Sequence, residues 1–237
     1  MSDMDVHQSP SHLDAYGRKR ILQVLLTLAI AVALVFLAAG RLTFLWGWVY
    51  LGVAVVSLIF GAAYVLNYNP QAINERGRPA EGQKRWDKVI MAVYAPLFIS
   101  VYILSGLDAR FGWSVVPLWL HLLGAVFSLA GSALTYAAMA HNKFLSMVVQ
   151  VAQERGHQVA TQGPYRYVRH PMYLSLILSW PALSLFLGSY WALIPGFLAS
   201  IVIIIRTSLE DRTLQAELTG YADYARQVRF RLLPGIW

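Results

Sequence analysis

The sequence contains no cysteine and has little charge for its length. Of its 237 residues, 13% are charged and 57% are hydrophobic, and the mean hydropathy is +0.51. The absence of cysteine excludes disulfides, thiolate metal ligands and cysteine nucleophiles. The scarcity of charge is not typical of a soluble domain of this size. The composition therefore predicts an integral membrane protein.

Two partner classes are disfavoured by the same composition. No two of the six histidines stand four residues apart, so no helical face offers paired histidine ligands, and we expect no metal. The formal net charge of +7 would suit nucleic acid only if the basic residues formed one patch. They are instead distributed between apolar segments, so we expect no nucleic acid partner.

Long runs without formal charge divide the chain. Four of them cover residues 21–40, 44–66, 89–107 and 115–140, and the last contains only His121 as a titratable group. Each is long enough to cross the roughly 30 Å hydrocarbon layer as a helix. His121 is a functional candidate because it is ionisable within a span, and a neutral histidine bonded to a neighbouring helix explains it equally well.

The fifth uncharged run, residues 171–205, is too long for one crossing. As a single straight helix it would measure about 50 Å. We expect it to turn back at Gly188 and Ser189, next to the interfacial anchors Tyr190 and Trp191. The prediction is a hairpin of two short helices, broken further by the prolines at positions 181 and 195.

The basic residues predict the orientation of these segments. Seventeen of the 19 lysines and arginines fall in the N-terminal arm, in the loops after the second and fourth spans, or in the tail. Only Arg41 and Arg110 fall in the opposite loops. By the positive-inside rule, both termini and the two long loops are cytoplasmic.

The predicted fold is an all-α, polytopic membrane bundle of about six transmembrane helices, including the C-terminal hairpin. The chain crosses the membrane six times, or four times with a re-entrant hairpin. We expect a disordered, basic-ended arm at residues 1–20 and four transmembrane helices in residues 21–140. Residues 141–237 would form the functional region, made of a cytoplasmic loop, the hairpin and a helical tail.

Two cytoplasmic segments, residues 141–173 and 206–237, flank the hairpin and contain most of the reactive polar side chains. Because the hairpin returns the chain to the side it left, these segments are expected to lie together. In "GPYRYVRHPMY", Pro171 disfavours the α conformation for His170 and favours the start of a helix. The cluster is then a helix N-terminus with many donors, which suits an anionic ligand group.

The second segment carries carboxylates and aromatic rings at helical spacing. Glu210, Leu214, Glu217, Tyr221 and Tyr224 form one stripe if the helix continues through Gly220.

"GPYRYVRHPMY", followed after a hydrophobic hairpin by an acidic pair and "GYADYARQVRFRLLPG", resembles the isoprenylcysteine carboxyl methyltransferase family. The phospholipid N-methyltransferases are more distantly similar. The resemblance extends from "HNKFLS" to the C-terminus. It implies that S-adenosylmethionine binds at the cytoplasmic face, in a pocket closed by the tail and beside a lipid-accessible path for the acceptor.

The resemblance also implies site residues. His170, Pro171 and Tyr173 match the His-Pro-x-Tyr element, Glu210 matches the first acidic residue, and Tyr221 and Tyr224 match the tail tyrosines. The sequence departs from the family at Asp211, where a second glutamate is expected, and at Gly131, which only partly matches a glycine motif. The candidate cofactor-binding residues are Tyr165, Arg169, His170, Pro171, Tyr173, Glu210, Tyr221 and Tyr224.

The chemistry of these residues is compatible with that cofactor. A sulfonium cation needs a carboxylate or aromatic faces, and its carboxylate group needs donors such as Arg169 and His170. Glu210 and Arg206 are the candidate catalytic residues, although Arg206 is explained equally well as a cation at a helix C-terminus. Methyl transfer to a carboxylate or thiolate needs no general base, whereas an amine acceptor would need one, with Glu210 or Glu217 as candidates.

The leading hypothesis is a membrane methyltransferase acting on a lipophilic carboxylate or thiol, such as a prenylated cysteine. A phospholipid amine is the alternative acceptor. A small transporter would place polar residues at the bilayer centre of symmetric halves, and this chain concentrates them at one face. A non-catalytic membrane scaffold would carry a degenerate pocket, and Asp211 keeps that alternative open.

Overall fold

The computed structural model describes residues 12–79, 82–150 and 156–237. These residues form helices and no strand: α1 (Ala15–Ala39), α2 (Leu45–Tyr68), α3 (Pro70–Gly77), α4 (Arg85–Phe111), α5 (Leu118–Ala140), α6 (Pro171–Phe186), α7 (Leu193–Glu217) and α8 (Tyr221–Gln227), with a 3-10 turn at Gly163–Arg166. Five of the helices, α1, α2, α4, α5 and α7, are long and apolar enough to cross a membrane. The predicted polytopic membrane helix bundle is confirmed.

The first helix begins earlier than expected. The side chain of Asp14 accepts a hydrogen bond from the backbone N–H of Gly17 at 2.9 Å, which caps α1 at its N-terminus. Residues 15–20 are therefore helical, and the expectation of a disordered arm through residue 20 is wrong for them. The rest of the expected arm, residues 1–11, lies outside the described residues.

A short helix, α3, lies in the loop after the second span and was not predicted. Pro70 occupies its first turn, and one face buries Ala72 and Ile73 between the long helices. The amide of Asn74 accepts from the backbone N–H of Asp14 at 3.2 Å and donates to the carbonyl of His12. These bonds fasten α3 to the start of α1.

The C-terminal hairpin turns where it was expected to turn. Gly188 has φ +83°, a left-handed conformation that favours glycine, between the end of α6 and the start of α7. Ser189 donates to the buried carboxylate of Asp108 at 2.6 Å. This bond ties the corner to the end of α4, so the position of the turn is set by tertiary contact as well as by its glycine.

The expected hairpin is present and α6 is short, but the expectations that α7 is also short and that prolines break the two helices are wrong. α7 has 25 residues and continues from the apolar run into the polar tail segment. α6 has 16 residues and runs through Pro181 without a break. Proline cannot donate to the carbonyl of Ile177, four residues earlier, and the hydroxyl of Ser200 on α7 donates to it instead at 3.0 Å. Pro195 lies in the first turn of α7, where no helical donor is required.

Close packing of α5 on α6 holds the hairpin against the bundle. Gly124 and Gly131 are buried on α5, and a Cβ on either would collide with atoms of α6. Gly131 is thus a packing residue that contacts Ser179. His121 also belongs to this interface, because its Nδ1–H donates to the carbonyl of Phe186 at 2.8 Å and its ring stacks on Trp46.

Candidate functional site

Polar side chains from several segments surround a cavity at one end of the bundle. The loop after α5, the 3-10 turn, the first turn of α6, the last turns of α7 and helix α8 all contribute to its walls. Its empty space, including the open mouth, is about 730 Å³. The cavity brings together every candidate cofactor-binding residue predicted from the sequence: Tyr165, Arg169, His170, Pro171, Tyr173, Glu210, Tyr221 and Tyr224.

Glu210 provides a carboxylate among aromatic rings. The phenol of Tyr173 donates a short hydrogen bond to Glu210 Oε2. The ring of His170 lies parallel to that of Tyr173, with centroids 5.7 Å apart. This wall of the cavity offers negative charge and aromatic faces, which is the combination that attracts an organic cation.

The neighbouring residue, Asp211, points away from the solvent and organises the tail. Its carboxylate is fully buried and accepts from Arg169 through both Nε and Nη2, at 2.7 and 3.0 Å. Arg231 donates to it at 2.8 Å and Tyr221 at 3.0 Å, and His170 Nε2 lies 3.2 Å from it. Asp211, which stands where a second glutamate was expected, is therefore the centre of a buried ionic cluster. We did not predict it as a site residue.

The contacts with Asp211 determine the protonation states of Arg169 and Tyr221, which lie outside the membrane-spanning segments. Burial alone would lower the pKa of Arg169, but the hydrogen bonds and charge of Asp211 outweigh it and raise that pKa. Burial, followed by the charge of Asp211, raises the pKa of Tyr221 well above its ordinary value. Arg169 is thus charged and Tyr221 is a neutral donor at physiological pH.

Backbone hydrogen bonds hold the tail against the segment that leads into α6. The N–H groups of Arg169 and His170 donate to the carbonyls of Phe230 and Arg231, at 3.0 and 2.9 Å. The hydroxyl of Tyr224 donates to the carbonyl of Tyr165 at 2.7 Å. Arg169 and His170 were expected to be donors to a ligand, and the structure shows that they also hold the tail to the start of α6.

Arg206, the second candidate catalytic residue, does not line the cavity. Its Nε donates to Asp87 on α4 at 2.8 Å, and its Nη2 donates to the carbonyl of Met147 at 3.0 Å. Its guanidinium also lies 5.3 Å from the ring centroid of Tyr173. Asp87 in turn accepts from the backbone N–H of Val149 at 3.1 Å. The Arg206–Asp87 pair thus holds the loop of residues 142–150, the wall loop, which forms one side of the cavity.

Several residues that line the cavity were not singled out from the sequence. Asn142 lines the cavity and donates to the hydroxyl of Tyr165 at 3.2 Å. Gln150 also lines it, and its Oε1 is a buried acceptor that finds no hydrogen-bond partner among the described residues. Both residues lie in the cytoplasmic segment 141–173, whose polar content and "HNKFLS" motif pointed to the loop without singling them out. Among the residues that the structure describes, no three histidine or carboxylate side chains are placed to ligate a metal ion.

The predicted stripe along the tail is interrupted. α7 ends at Glu217, and Gly220 has φ +82°, so α8 starts a new direction. Glu210, Tyr221 and Tyr224 still meet in the cavity, but Glu217 does not, and it pairs with Lys84 at 2.7 Å near the surface. Glu217 is therefore not positioned as a general base.

Comparison with known families agrees with this geometry. Residues 119–218 match the family model of the phospholipid methyltransferases. The match begins at the start of α5, earlier than the resemblance seen in the sequence, and ends before the tail tyrosines. No curated protein matches the chain. Residues 119–218, less than half of the chain, are thus similar to the phospholipid methyltransferase family, a family of membrane methyltransferases related to the isoprenylcysteine carboxyl methyltransferases.

Proposed function

We propose that this protein is a membrane methyltransferase that uses S-adenosylmethionine, and that the cofactor binds in the cavity beside Glu210. The observation that supports this most strongly is the convergence of eight predicted residues, from three separate segments, on one cavity. Glu210 and Tyr173 form its anionic and aromatic wall. The bound cofactor supplies a methyl group on a sulfonium centre.

The donor set of the cavity fits such a ligand. Glu210 would balance the positive charge, and the rings of Tyr173, Tyr221 and Tyr224 would contact apolar and cationic parts. The unpaired Oε1 of Gln150 would accept from an amino group of the ligand, which would satisfy a buried atom that is otherwise without a partner. Arg169 and His170 act mainly by holding the tail, because both contact Asp211.

We infer that the protein accelerates transfer by orientation and by excluding water. The tail and the loop held by Asp87 and Arg206 close the cavity from two sides, which would keep the reactants aligned and dry. Arg206 is then a positioning residue, which acts through the wall loop and the ring of Tyr173. Glu210 is the residue that would contact the cofactor.

The acceptor is proposed to be lipophilic, because the cavity lies at the end of the membrane bundle. A carboxylate or thiolate acceptor, such as a prenylated cysteine, would need no base. A phospholipid amine is the second candidate, favoured by the family match, and Glu210 would then receive the proton. The 17-to-2 distribution of basic residues supports a cytoplasmic cavity and cytoplasmic termini.

Methyl-labelled S-adenosylmethionine tests this function. Membranes containing the protein, or its Glu210→Ala variant, would be incubated with the label, and the products separated into protein, phospholipid and small-molecule fractions. The proposal predicts label in one fraction with the parent chain and at least tenfold less with the variant. Folded parent protein that transfers no label to any fraction would favour the scaffold alternative.

A further inference from the structure

Two half-buried arginines near the cavity have no carboxylate partner in the described part of the chain. They are Arg20 on α1 and Arg76 on α3. The Cβ of Arg20 packs against the backbone of Gly77, the residue after Arg76 in the sequence, where a Cβ on the glycine would lie 3.3 Å from it. Burying an arginine without a counter-charge is unfavourable, and placing two such cations together adds repulsion.

The other half-buried or buried arginines on this side of the bundle are paired. Arg78 contacts Asp14 and Glu75, Arg206 contacts Asp87, and Arg169 and Arg231 share Asp211. In the described part of the chain, each half-buried or buried arginine on this side therefore has a carboxylate partner, except Arg20 and Arg76. An anion from outside the chain would complete the pattern.

Arg76 lies beside the wall of the proposed reaction site. Its Nη1 donates to the sulfur of Met172 at 3.2 Å, a weak acceptor that does not neutralise a guanidinium. Met172 and its neighbour Tyr173 both line the cavity. Burial, followed by the charge of Arg20, lowers the pKa of Arg76 to about 10, so the group is still charged at neutral pH.

We propose that Arg20 and Arg76 bind the anionic group, a phosphate or a carboxylate, of the lipophilic methyl acceptor. The acceptor part of this proposal rests on the proposed function. Guanidinium groups bind both kinds of anion through paired hydrogen bonds. Because α3 packs between the long helices at the end of the bundle that carries the cavity, an anion held there can belong to a molecule whose chain stays in the bilayer. The acceptor's head group then lies next to Met172 and Tyr173.

Binding of simple amphiphiles tests the site without any methyl transfer. The purified protein in dodecyl maltoside micelles would be titrated with dodecyl phosphate, dodecanoate or dodecanol, which share one chain and differ in the head group. Inorganic phosphate would be titrated as the control anion that has no alkyl chain. The variants are Arg20→Gln and Arg76→Gln, and Arg18→Gln is the matched control because Arg18 is exposed on the same helix. Arg76→Lys keeps the charge and guards against a folding defect.

We expect at least one of the two anionic amphiphiles to raise the thermal midpoint of the parent, and dodecanol and inorganic phosphate to have little effect. Each Gln variant at position 20 or 76 should weaken binding about tenfold or more, with Arg18→Gln unchanged and Arg76→Lys intermediate. The amphiphile that binds more tightly identifies the head group as phosphate or carboxylate.

Equal binding by the parent and Arg76→Gln would overturn the proposal, as would equal losses in Arg18→Gln, which would indicate general attraction to a basic surface. S-Adenosylhomocysteine binding is measured in parallel. If the anionic amphiphile binds at these arginines and S-adenosylhomocysteine does not bind at all, the proposed function fails and the anion site remains. If S-adenosylhomocysteine binds and no anionic amphiphile does, the anion site fails and the proposed function remains.

Discussion

Arg169 and Asp211 form a two-pronged ion pair, with Nε to Oδ1 at 2.7 Å and Nη2 to Oδ2 at 3.0 Å. Asp211 is fully buried, and Arg169 is almost so. The pair joins the start of α6 to α7, and Arg231 brings the tail to the same carboxylate. One carboxylate thus connects the segment before α6, helix α7 and the tail.

Asp211→Asn should therefore destabilise the protein and open the cavity. Removing one partner of a buried ion pair typically costs about 3 to 5 kcal/mol, because the remaining charges stay buried. Thermal unfolding in detergent would show a lower midpoint. Asp223→Asn is the control, since Asp223 pairs with Arg226 in solvent and should contribute at most about 1 kcal/mol. Equal midpoints for Asp211→Asn and Asp223→Asn would contradict this role of Asp211.

Asp87 should affect ligand binding although it does not line the cavity. Asp87→Ala removes the acceptor for Arg206 and for the N–H of Val149, so the wall loop would have to be ordered by the ligand itself. We expect about tenfold weaker binding of S-adenosylhomocysteine by calorimetry. Lys84→Ala, which breaks the half-exposed pair with Glu217, is the control and should bind normally.

The double variant Asp87→Ala/Arg206→Ala separates a shared role from two independent ones. If the pair acts as a unit on the loop, the double variant loses little more affinity than either single variant, and the coupling energy is about 0.5 to 3 kcal/mol. Fully additive losses would mean that Arg206 contacts the ligand independently of Asp87.

The tail should loosen at high pH. Burial raises the folded-state pKa of Tyr221 above the ordinary value of 10, so its contribution to stability is complete below pH 10 and is lost as the pH rises further. The thermal midpoint of the parent should be level between pH 7 and 9 and fall above pH 10. Tyr221→Phe should have a lower midpoint at pH 7 and a smaller fall above pH 10. An identical alkaline slope in both proteins would show that Tyr221 is not responsible.

The features predicted correctly from sequence depend on local patterns. Uncharged runs predicted the spans, and Gly188 with its aromatic neighbours predicted the hairpin corner, because chain direction there follows from backbone conformation and membrane thickness. The cavity residues were predicted because the ordered motif around His170 and the tail tyrosines can be compared with a family.

The features that were missed depend on contacts between distant residues. Asp211 carries no local mark of burial, because its partners lie at positions 169 and 231. The pairing of Arg206 with Asp87 joins α7 to α4 across 119 positions. Pro181 was expected to break α6, and the compensating donor is Ser200 on another helix. Each outcome was decided by tertiary partners that a single sequence does not specify.

The topology predicted from charge can be tested with reporter fusions. Enzymatic reporters placed after residue 237 and within the loop near Lys84 should both report the cytoplasm, and a reporter in the loop near Arg110 should report the opposite side. A C-terminal reporter on the outside would contradict a cavity built from both the wall loop and the tail on the cytoplasmic side.

Calorimetric titration with S-adenosylhomocysteine tests the central claim, that the cavity beside Glu210 holds the cofactor, most directly. The parent chain should bind, and Glu210→Ala should weaken binding about tenfold to a hundredfold, as expected for about 1.5 to 3 kcal/mol of charge-assisted interaction. His170→Ala should also weaken binding, because it removes a contact of Asp211 that holds the tail. Arg110→Ala, an exposed residue at the opposite end of α4, should bind as the parent does. Unchanged affinity in folded Glu210→Ala and His170→Ala would contradict the assignment of the cofactor to this cavity.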